Sequence, residues 1–382
     1  MTEVRAAVVW DPRFFHYDFG PDHPFSERSR GLAVDLLERE LRRTSTPVHW
    51  TRQVAPASRS VLERFHEAPY LDMVERAGGR EDSFPLDAGD TPSFPGCFEE
   101  AARMVAGARS ALDWTIERRR PAFHPAGGLH HAHPDRASGF CIFNDVALAV
   151  AAAVDAGRRV AYIDVDAHHG DGVMYGFYDS GQVLDIDFHQ DGRTLFPGTG
   201  FPTEAGRGDG AGLKANLPLP PLAGDEALLP LFDRVVPELL RSFRPEVLIV
   251  QHGVDGHIGD RLAQLQFSAS AYAEVDRRLI ALARELCSGR ILVTGGGGYR
   301  PDAVARVLAR TGLALAGVDL PPDGAAVPEE WREQYRQELG VPAPRGWTEV
   351  EAPARSPWSP DRGAALVREL GSALGVRFPS TP

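Results

Sequence analysis

Short apolar runs recur along this 382-residue chain, and polar or mixed segments separate them. The runs that predict strands begin at Ala6, Val160, Val183, Val247 and Ile291. They are nearly continuous in apolar residues, whereas a strand with one solvated face alternates apolar and polar positions. We therefore expect a largely parallel sheet that is buried on both faces.

Amphipathic helices are predicted between these strands. The clearest runs from about Ser26 to Arg43, with leucines at 32, 36, 37 and 41 on one stripe. Another follows Asn144, a favourable N-cap, and ends at Gly157, a favourable C-cap. A third covers about Ser268 to Cys287. The alternation of strands and helices predicts an α/β fold of three layers, with a central, mostly parallel sheet flanked by helices.

The composition changes after about Leu320. The last 62 residues are rich in proline and contain Trp331, Trp347 and Trp358. We predict a catalytic domain over residues 1–320 and a C-terminal extension over residues 321–382 that packs on it as extended or short helical segments. Disorder is the alternative, and the three tryptophans argue against it.

Charge and cysteine content exclude some classes of function. The formal net charge of −12 argues against binding to nucleic acid or to an anionic membrane surface. The chain contains neither a signal-peptide pattern at its start nor an apolar run of membrane-spanning length. Its three cysteines are widely spaced and odd in number, which favours a reducing compartment. We therefore expect a cytoplasmic protein. Its hydrophobic content of 43% is ordinary for a globular domain.

The strand at Val160 ends in a dense polar cluster that includes Asp164, Asp166, His168 and Asp171. Alternation predicts that the first three leave the strand on one face. Ligands of open α/β sheets bind beyond the carboxyl ends of the strands, where this cluster falls. Carboxylates with an imidazole suit zinc or a similar divalent ion. A solvated acidic turn is the alternative interpretation.

A second strand, at Val247, also ends in such residues: His252, Asp255 and His257. Asp255 is a candidate third ligand beside Asp166 and His168. Three protein ligands with a fourth position open to water are typical of a catalytic metal site. No cysteine lies near either cluster, so a cysteine-rich structural zinc site is excluded.

Two further clusters contain groups suited to catalysis. His130 and His131 are adjacent in a glycine-containing loop, and Asp164 and Asp171 remain available to orient their rings. An exposed pair without function is the alternative. Four glycines precede Tyr299 after the strand at Ile291; they lack the lysine of a phosphate-binding loop. We favour a close backbone approach that presents the Tyr299 hydroxyl to an oxyanion.

Six motifs in one order carry a family resemblance: "GGLHHA", "SGFCIFNDVA", "IDVDAHHGDGV", "LFPGTG", "QHGVDGH" and "GGGGY". From about Tyr17 to Gly317 the chain resembles the zinc-dependent histone deacetylase and acetylpolyamine amidohydrolase superfamily, of arginase-like fold. Within it, the bacterial acetoin-utilisation deacetylases are the most similar group.

The resemblance implies a role for each candidate residue. It assigns zinc, or iron(II), to Asp166, His168 and Asp255. It makes His131 with Asp171 the general base and acid, His130 with Asp164 an electrostatic partner, and Tyr299 the group that polarises the scissile carbonyl. Phe140 and Phe196 become walls of a tunnel around the acylated lysine, and Asp90 becomes a rim carboxylate that holds the substrate backbone.

The implied reaction is hydrolysis of acetyl-lysine in proteins, with acetyl-coenzyme A synthetase as the suggested partner. An acetylpolyamine amidohydrolase, a two-metal ureohydrolase and a non-catalytic acetyl-lysine binder are the alternatives. Three residues depart from the family pattern: His124, His252 and Asp187. Relatives usually have a serine at position 187 that helps to bind a structural monovalent cation, so the identity of that ion, K⁺ or Na⁺, is open.

Overall fold

In the computed structural model, which describes residues 4–80, 85–87, 89–349 and 351–379, the core is one eight-stranded sheet. The strands are β1 Ala7–Val9, β2 His49–Thr51, β3 Ala122–His124, β4 Val160–Asp164, β5 Val183–Gln190, β6 Lys214–Leu219, β7 Val247–Gln251 and β8 Ile291–Thr294. Their order is β2-β1-β3-β8-β7-β4-β5-β6, and all the pairings between these strands are parallel.

The predicted fold class is confirmed, and all five predicted strands are present. The sequence did not reveal β2, β3 or β6. The first two are only three residues long, and β6 contains Lys214, Asn216 and Pro218 among its six residues. Strand runs that short or that polar carry no clear apolar signal.

Helices connect and cover the strands. They are α1 Arg28–Arg43, α2 Arg59–Leu62, α3 Ala68–Gly78, α4 Cys97–Arg118, α5 Asp145–Asp155, α6 Asp171–Gly176, α7 Asp225–Phe243, α8 Ala269–Leu286, α9 Pro301–Leu315, α10 Glu329–Leu339 and α11 Pro360–Leu374. Helix α4 packs on α5 as one group, and α1, α9, α8 and α7 pack side by side as another. Both groups contact the sheet, which gives the three layers.

The predicted helix ends have the expected caps. The Asn144 side chain accepts a hydrogen bond from the Ala147 N–H at the start of α5, and Ser268 does the same from Ala271 at the start of α8. Gly157 follows α5 with φ +74°, the left-handed conformation that favours glycine at a helix end. The leucine stripe of α1 is buried.

The C-terminal segment packs on the rest of the molecule. Trp331 and Trp347 are buried, and the Trp331 indole N–H donates to the Leu32 carbonyl of α1. Helix α11 contacts α7 and β6. The boundary at residue 320 stays a prediction, and the extreme ends of the two predicted ranges, residues 1–3 and 380–382, lie outside the described residues.

Four adjacent strands of the sheet, β3, β8, β7 and β4, are followed at their carboxyl ends by the candidate metal ligands, the two adjacent histidines and Tyr299. Parallel strands bring those ends to one edge, so clusters far apart in sequence meet there. The three cysteines are buried and free. Across the described residues, no helix combines the length and apolar character that crossing a bilayer requires.

Candidate active site

Asp166 and His168 lie in the turn that follows β4. The strand ends at Asp164, and two short hydrogen-bonded turns continue from it. The Asp166 N–H donates to Asp164 Oδ1 at 3.0 Å, and the His168 N–H donates to Asp166 Oδ1 at 2.9 Å. The positions of Asp166 and His168 are therefore set by these turns. The sequence instead predicts that side-chain alternation along a longer strand sets them.

The two residues meet Asp255 from the loop after β7. One donor atom from each residue of this metal triad (Asp166, His168 and Asp255) lies within 4.8 Å of the others, and all three side chains are buried. His168 Nδ1 is 2.9 Å from Asp255 Oδ2 and 3.2 Å from Asp166 Oδ1. Burial and the charge of Asp166 raise the pKa of Asp255 to about 7. Two carboxylates this close are stabilised by a cation between them.

Glycines make room for this approach. A Cβ atom at Gly253 would lie 1.9 Å from Asp166 Oδ2, and one at Gly297 would lie 2.0 Å from Asp255 Oδ2. The Gly297 N–H instead donates to Asp166 Oδ2 at 2.8 Å, and so does the amide of Gln251. The carboxylate is therefore fixed from two sides. This donor set of two carboxylates and one imidazole fits zinc or a similar divalent ion.

The histidine pair, His130 and His131, lies beside the triad in the loop after β3. His130 Nδ1 is 2.8 Å from Asp164 Oδ2, and His131 Nδ1 is 2.7 Å from Asp171 Oδ1. The two Nε2 atoms are 3.0 Å apart. Each ring thus directs Nδ1 at its own carboxylate and turns Nε2 toward the other, an arrangement in which the carboxylates fix the ring orientations.

The two imidazoles differ electrostatically although they are neighbours in sequence. Burial lowers the pKa of His130, but the charges of Asp164 and Asp166 outweigh it and raise that pKa to about 10. Burial and the adjacent His130 lower the pKa of His131 to about 4, against the opposing effect of Asp171. Asp166 is itself a candidate ligand, so a bound cation would offset part of the charge at His130. The difference favours His131 as the proton acceptor.

Several supporting residues were not predicted. His133 Nε2 lies 3.0 Å from Asp171 Oδ2, and Asn144 donates from Nδ2 to the carbonyls of His130 and Ala132. Asp145 accepts from the backbone N–H groups before the histidine pair. His133 and Asn144 stand inside or next to motifs that the sequence already marks, "HHAHP" and "FNDVA", so their position in those motifs was the available signal.

Tyr299 follows the glycine run after β8. Its backbone N–H donates to Asp260 Oδ2 at 2.8 Å, which ties it to the loop that carries Asp255. Its ring lies 6.5 Å from the His168 ring, measured between centroids. Within the described part of the chain the hydroxyl has no hydrogen-bond partner. Burial and the charges of Asp255 and Asp166 raise its pKa well above the ordinary value, which keeps the phenol protonated and able to donate.

Phe140 and Phe196 contact different members of the cluster. The Phe140 ring packs 5.9 Å from that of Tyr299, and the Phe196 ring lies 5.1 Å from that of His131. Phe140 has φ +67°, unusual for a bulky residue, and its backbone is held by Thr91 and Tyr17. Backbone conformations of this kind cluster at functional sites.

Asp90 lies near Phe140 at the outer end of the site. Its carboxylate accepts a hydrogen bond from the Thr91 hydroxyl, and its backbone carbonyl is 3.2 Å from His23 Nε2, whose ring packs against Phe140. Burial and the neighbouring Asp87 raise the pKa of Asp90 to about 6. The structure thus brings all the predicted site residues to one edge of the sheet.

The three departures from the family pattern are not members of the metal triad or the histidine pair, although Asp187 lies opposite Asp164 on the neighbouring strand. His124 is in the core, between the Val9 and Met104 carbonyls. His252 Nε2 is buried 2.9 Å from Asp276 Oδ1. Asp187 has a protein partner on each oxygen, the His189 imidazole at 2.6 Å and the Gly170 N–H at 2.7 Å.

Comparison with known proteins agrees with this geometry. The sequence model of the histone deacetylase domain matches residues 23–315. The chain is similar to the acetoin utilization protein AcuC of Bacillus subtilis (strain 168), at 36% identity over 357 residues that cover 90% of each protein. It is 32% identical to AcuC of Staphylococcus xylosus over 367 residues, which cover 92% of this chain and 94% of the relative.

Proposed function

The chain belongs to the histone deacetylase family, and from that premise we propose that it hydrolyses the acetyl amide of acetyl-lysine in proteins, releasing acetate, with zinc held by the metal triad. The observation that carries the proposal is the convergence of this triad with two histidine–aspartate pairs at one sheet edge. Iron(II) is the alternative metal, because an Asp/His/Asp site suits it as well.

The bound metal supplies Lewis acidity, which lowers the pKa of a water toward neutrality and polarises the amide carbonyl. His131 accepts the water proton at Nε2 as the water attacks, because its Nδ1 is engaged by Asp171. His131 then returns the proton to the departing lysine amine. His130, fixed by Asp164, contributes charge and orientation beside it.

Tyr299 donates its hydroxyl hydrogen bond to the oxygen that becomes negative in the tetrahedral transition state. Such a donor contributes about 3–4 kcal/mol when it is well placed. Phe140 and Phe196 line the approach and contact the methylene chain of the lysine. Asp90 accepts hydrogen bonds from the substrate backbone. These four roles are taken from the family resemblance, and the positions of the four residues are compatible with the roles.

The relatives named for acetoin utilization support a role in acetate or acetoin metabolism. We propose acetyl-coenzyme A synthetase as the protein partner and the cytoplasm as the location. We also propose that a structural K⁺ or Na⁺ ion binds near Asp187. The His189 and Gly170 contacts of Asp187 would have to coexist with that ion or rearrange around it.

The alternatives are weaker on specific observations. A two-metal ureohydrolase needs a second carboxylate two residues after Asp255, but His257 stands there and directs Nε2 at Glu349, 3.2 Å away. A non-catalytic binder has no use for a hydroxyl and two oriented imidazoles. An acetylpolyamine amidohydrolase uses the same chemistry, and the net charge of −12 suits its cationic substrates, so it remains the second candidate.

The deciding experiment compares acetate release from an acetyl-lysine peptide and from acetylated polyamines under the same conditions, with and without a chelator. We expect chelator-sensitive turnover with a higher kcat/KM for the peptide. A higher value for the polyamines would favour the second candidate. Binding of the peptide without turnover would support the binding module instead.

A further inference from the structure

A segment of the C-terminal extension contacts the loops that carry Asp255 and Tyr299. We call residues 346–349 and 351–354 the strap. It lies beyond residue 315, where the match to the family domain ends. Buried Trp347 anchors one end, and its backbone N–H donates to the Ala325 carbonyl at 2.9 Å. At the other end, Ala354 and the Gln266 side chain exchange two hydrogen bonds.

Glu349 of the strap reaches the loop after β7. Its carboxylate lies 3.2 Å from His257 Nε2, and His257 is two residues beyond Asp255. The same carboxylate accepts a hydrogen bond from the Ala269 N–H at the start of α8, also at 3.2 Å. The Glu349 side chain is only 9% exposed. One buried anion therefore joins the Asp255 loop to the helix behind it.

Glu351 reaches the neighbouring loop, after β8. Its Oε1 accepts a hydrogen bond from Arg300 Nη2 at 2.6 Å, and Arg300 directly follows Tyr299. The other end of the same guanidinium, Nη1, donates to the Ile258 carbonyl in the Asp255 loop at 3.1 Å. Arg300 thus bridges the two loops while the strap holds it from outside.

The two loops are also joined directly, because the Tyr299 N–H donates to Asp260 Oδ2. We propose that the strap is part of the catalytic unit: Glu349 and Glu351 are positioning residues that hold the Asp255 and Tyr299 loops in register through His257 and Arg300. This assigns a role in the reaction to a segment outside the family domain. The catalytic part of the inference rests on the proposed function, whereas the bracing of the loops does not.

The contacts differ in expected strength. Glu349 is buried and charged: burial opposes ionisation, but His257 and the Ala269 N–H lower its pKa to about 2. Glu351 is 44% exposed, where ion pairs are weak. Replacing Glu349 should therefore loosen the loops more than replacing Glu351. Since Glu351 is half in solvent, its variant should fold even if the Glu349 variant does not.

The test uses Glu349→Gln and Glu351→Gln in the full chain, each with a matched control. Glu40→Gln removes another buried carboxylate, 7% exposed and paired with Arg43. Glu285→Gln breaks another half-exposed pair with an arginine, Arg241. Hydrogen–deuterium exchange of residues 256–260 and 297–302 is measured alongside kcat, KM and thermal unfolding.

We expect faster exchange in both loops for the strap variants and a kcat lower by roughly tenfold for Glu349→Gln. KM should stay within about twofold, because the substrate contacts are unchanged. The controls should show neither change. If the loops of the strap variants exchange hydrogen no faster than those of their controls, the inference is overturned. It is also overturned if exchange is faster but kcat is unchanged. If the wild-type protein hydrolyses no acetylated substrate, the proposed function fails, and hydrogen exchange alone then tests whether the strap braces the loops. Failure of the proposed function and failure of the bracing can therefore be told apart.

Discussion

The floor of the site and its rim are built differently. The floor comprises the metal triad and the histidine pair with its two aspartates, and its side chains are buried and hydrogen-bonded to one another. The rim comprises Asp90, Phe140 and Phe196, and it is more open: Phe196 is 43% exposed. From this difference we expect the chemistry to depend on contacts made on folding, and substrate choice to depend on groups that keep contact with solvent.

This difference has an energetic consequence. A buried charge is tolerated only when it is paired, so removing one member of the floor leaves its partner with an unbalanced charge. A rim side chain can be removed without that penalty. We therefore expect substitutions in the floor to reduce turnover and those in the rim to change mainly KM.

The largest effect should follow loss of a metal ligand. Asp255→Ala and His168→Ala each remove one of the three proposed protein ligands, so bound metal and turnover should both fall to background. Elemental analysis of the purified variants gives the metal content. Asp113→Ala, which breaks an exposed pair with Arg109, is the control and should retain one ion per chain. A ligand variant that kept its metal and its activity would exclude that residue from the site.

The histidine pair comes next. We expect His131→Ala to lower kcat by roughly 10³–10⁴-fold and His130→Ala by roughly 10²-fold, because the proposed mechanism assigns proton transfer to His131. Metal content should be unchanged in both. The acid limb of the pH–rate profile should persist in His130→Ala at a lower rate. If His130→Ala were the more damaged variant and had lost that limb, the two roles would have to be exchanged.

Tyr299→Phe should be milder than the loss of His131. It removes one hydroxyl, so folding and metal content should survive while kcat falls by about 10²–10³-fold. Tyr178→Phe, a half-buried tyrosine in the turn that follows α6, serves as the control and should leave kcat unchanged. Near-normal turnover of Tyr299→Phe would show that another group stabilises the oxyanion.

The smallest effect concerns the rim and depends on pH. Because the pKa of Asp90 is raised to about 6, its carboxylate becomes protonated as the pH falls through that value. It then loses an acceptor for the substrate backbone, and KM should rise by about tenfold between pH 7 and pH 5. Asp90→Asn should have the raised KM at both values. The same inflection in Asp90→Asn would assign the titration to a different group.

The floor was more predictable from the sequence than the rim. Metal ligands and histidines need particular residue types at strand ends, so composition and strand prediction bring Asp166, His168 and Asp255 together. Phe140 and Phe196 have no such signature, and only the family resemblance distinguished them from core phenylalanines. The His257–Glu349 contact joins residues 92 positions apart, and no local pattern predicts it. The same holds for β2 and β3. Each has only three residues, and these form a strand only because a neighbouring strand of the sheet pairs with them.

The proposed function requires one divalent ion on the floor for hydrolysis of acetyl-lysine. The most direct test titrates zinc into chelator-treated protein while acetate release from an acetyl-lysine peptide is followed. We predict no turnover without metal, a linear rise, and a plateau at one equivalent per chain, with no recovery in Asp255→Ala. Turnover that survives complete removal of metal, or that needs two equivalents, would contradict a single catalytic ion at this site.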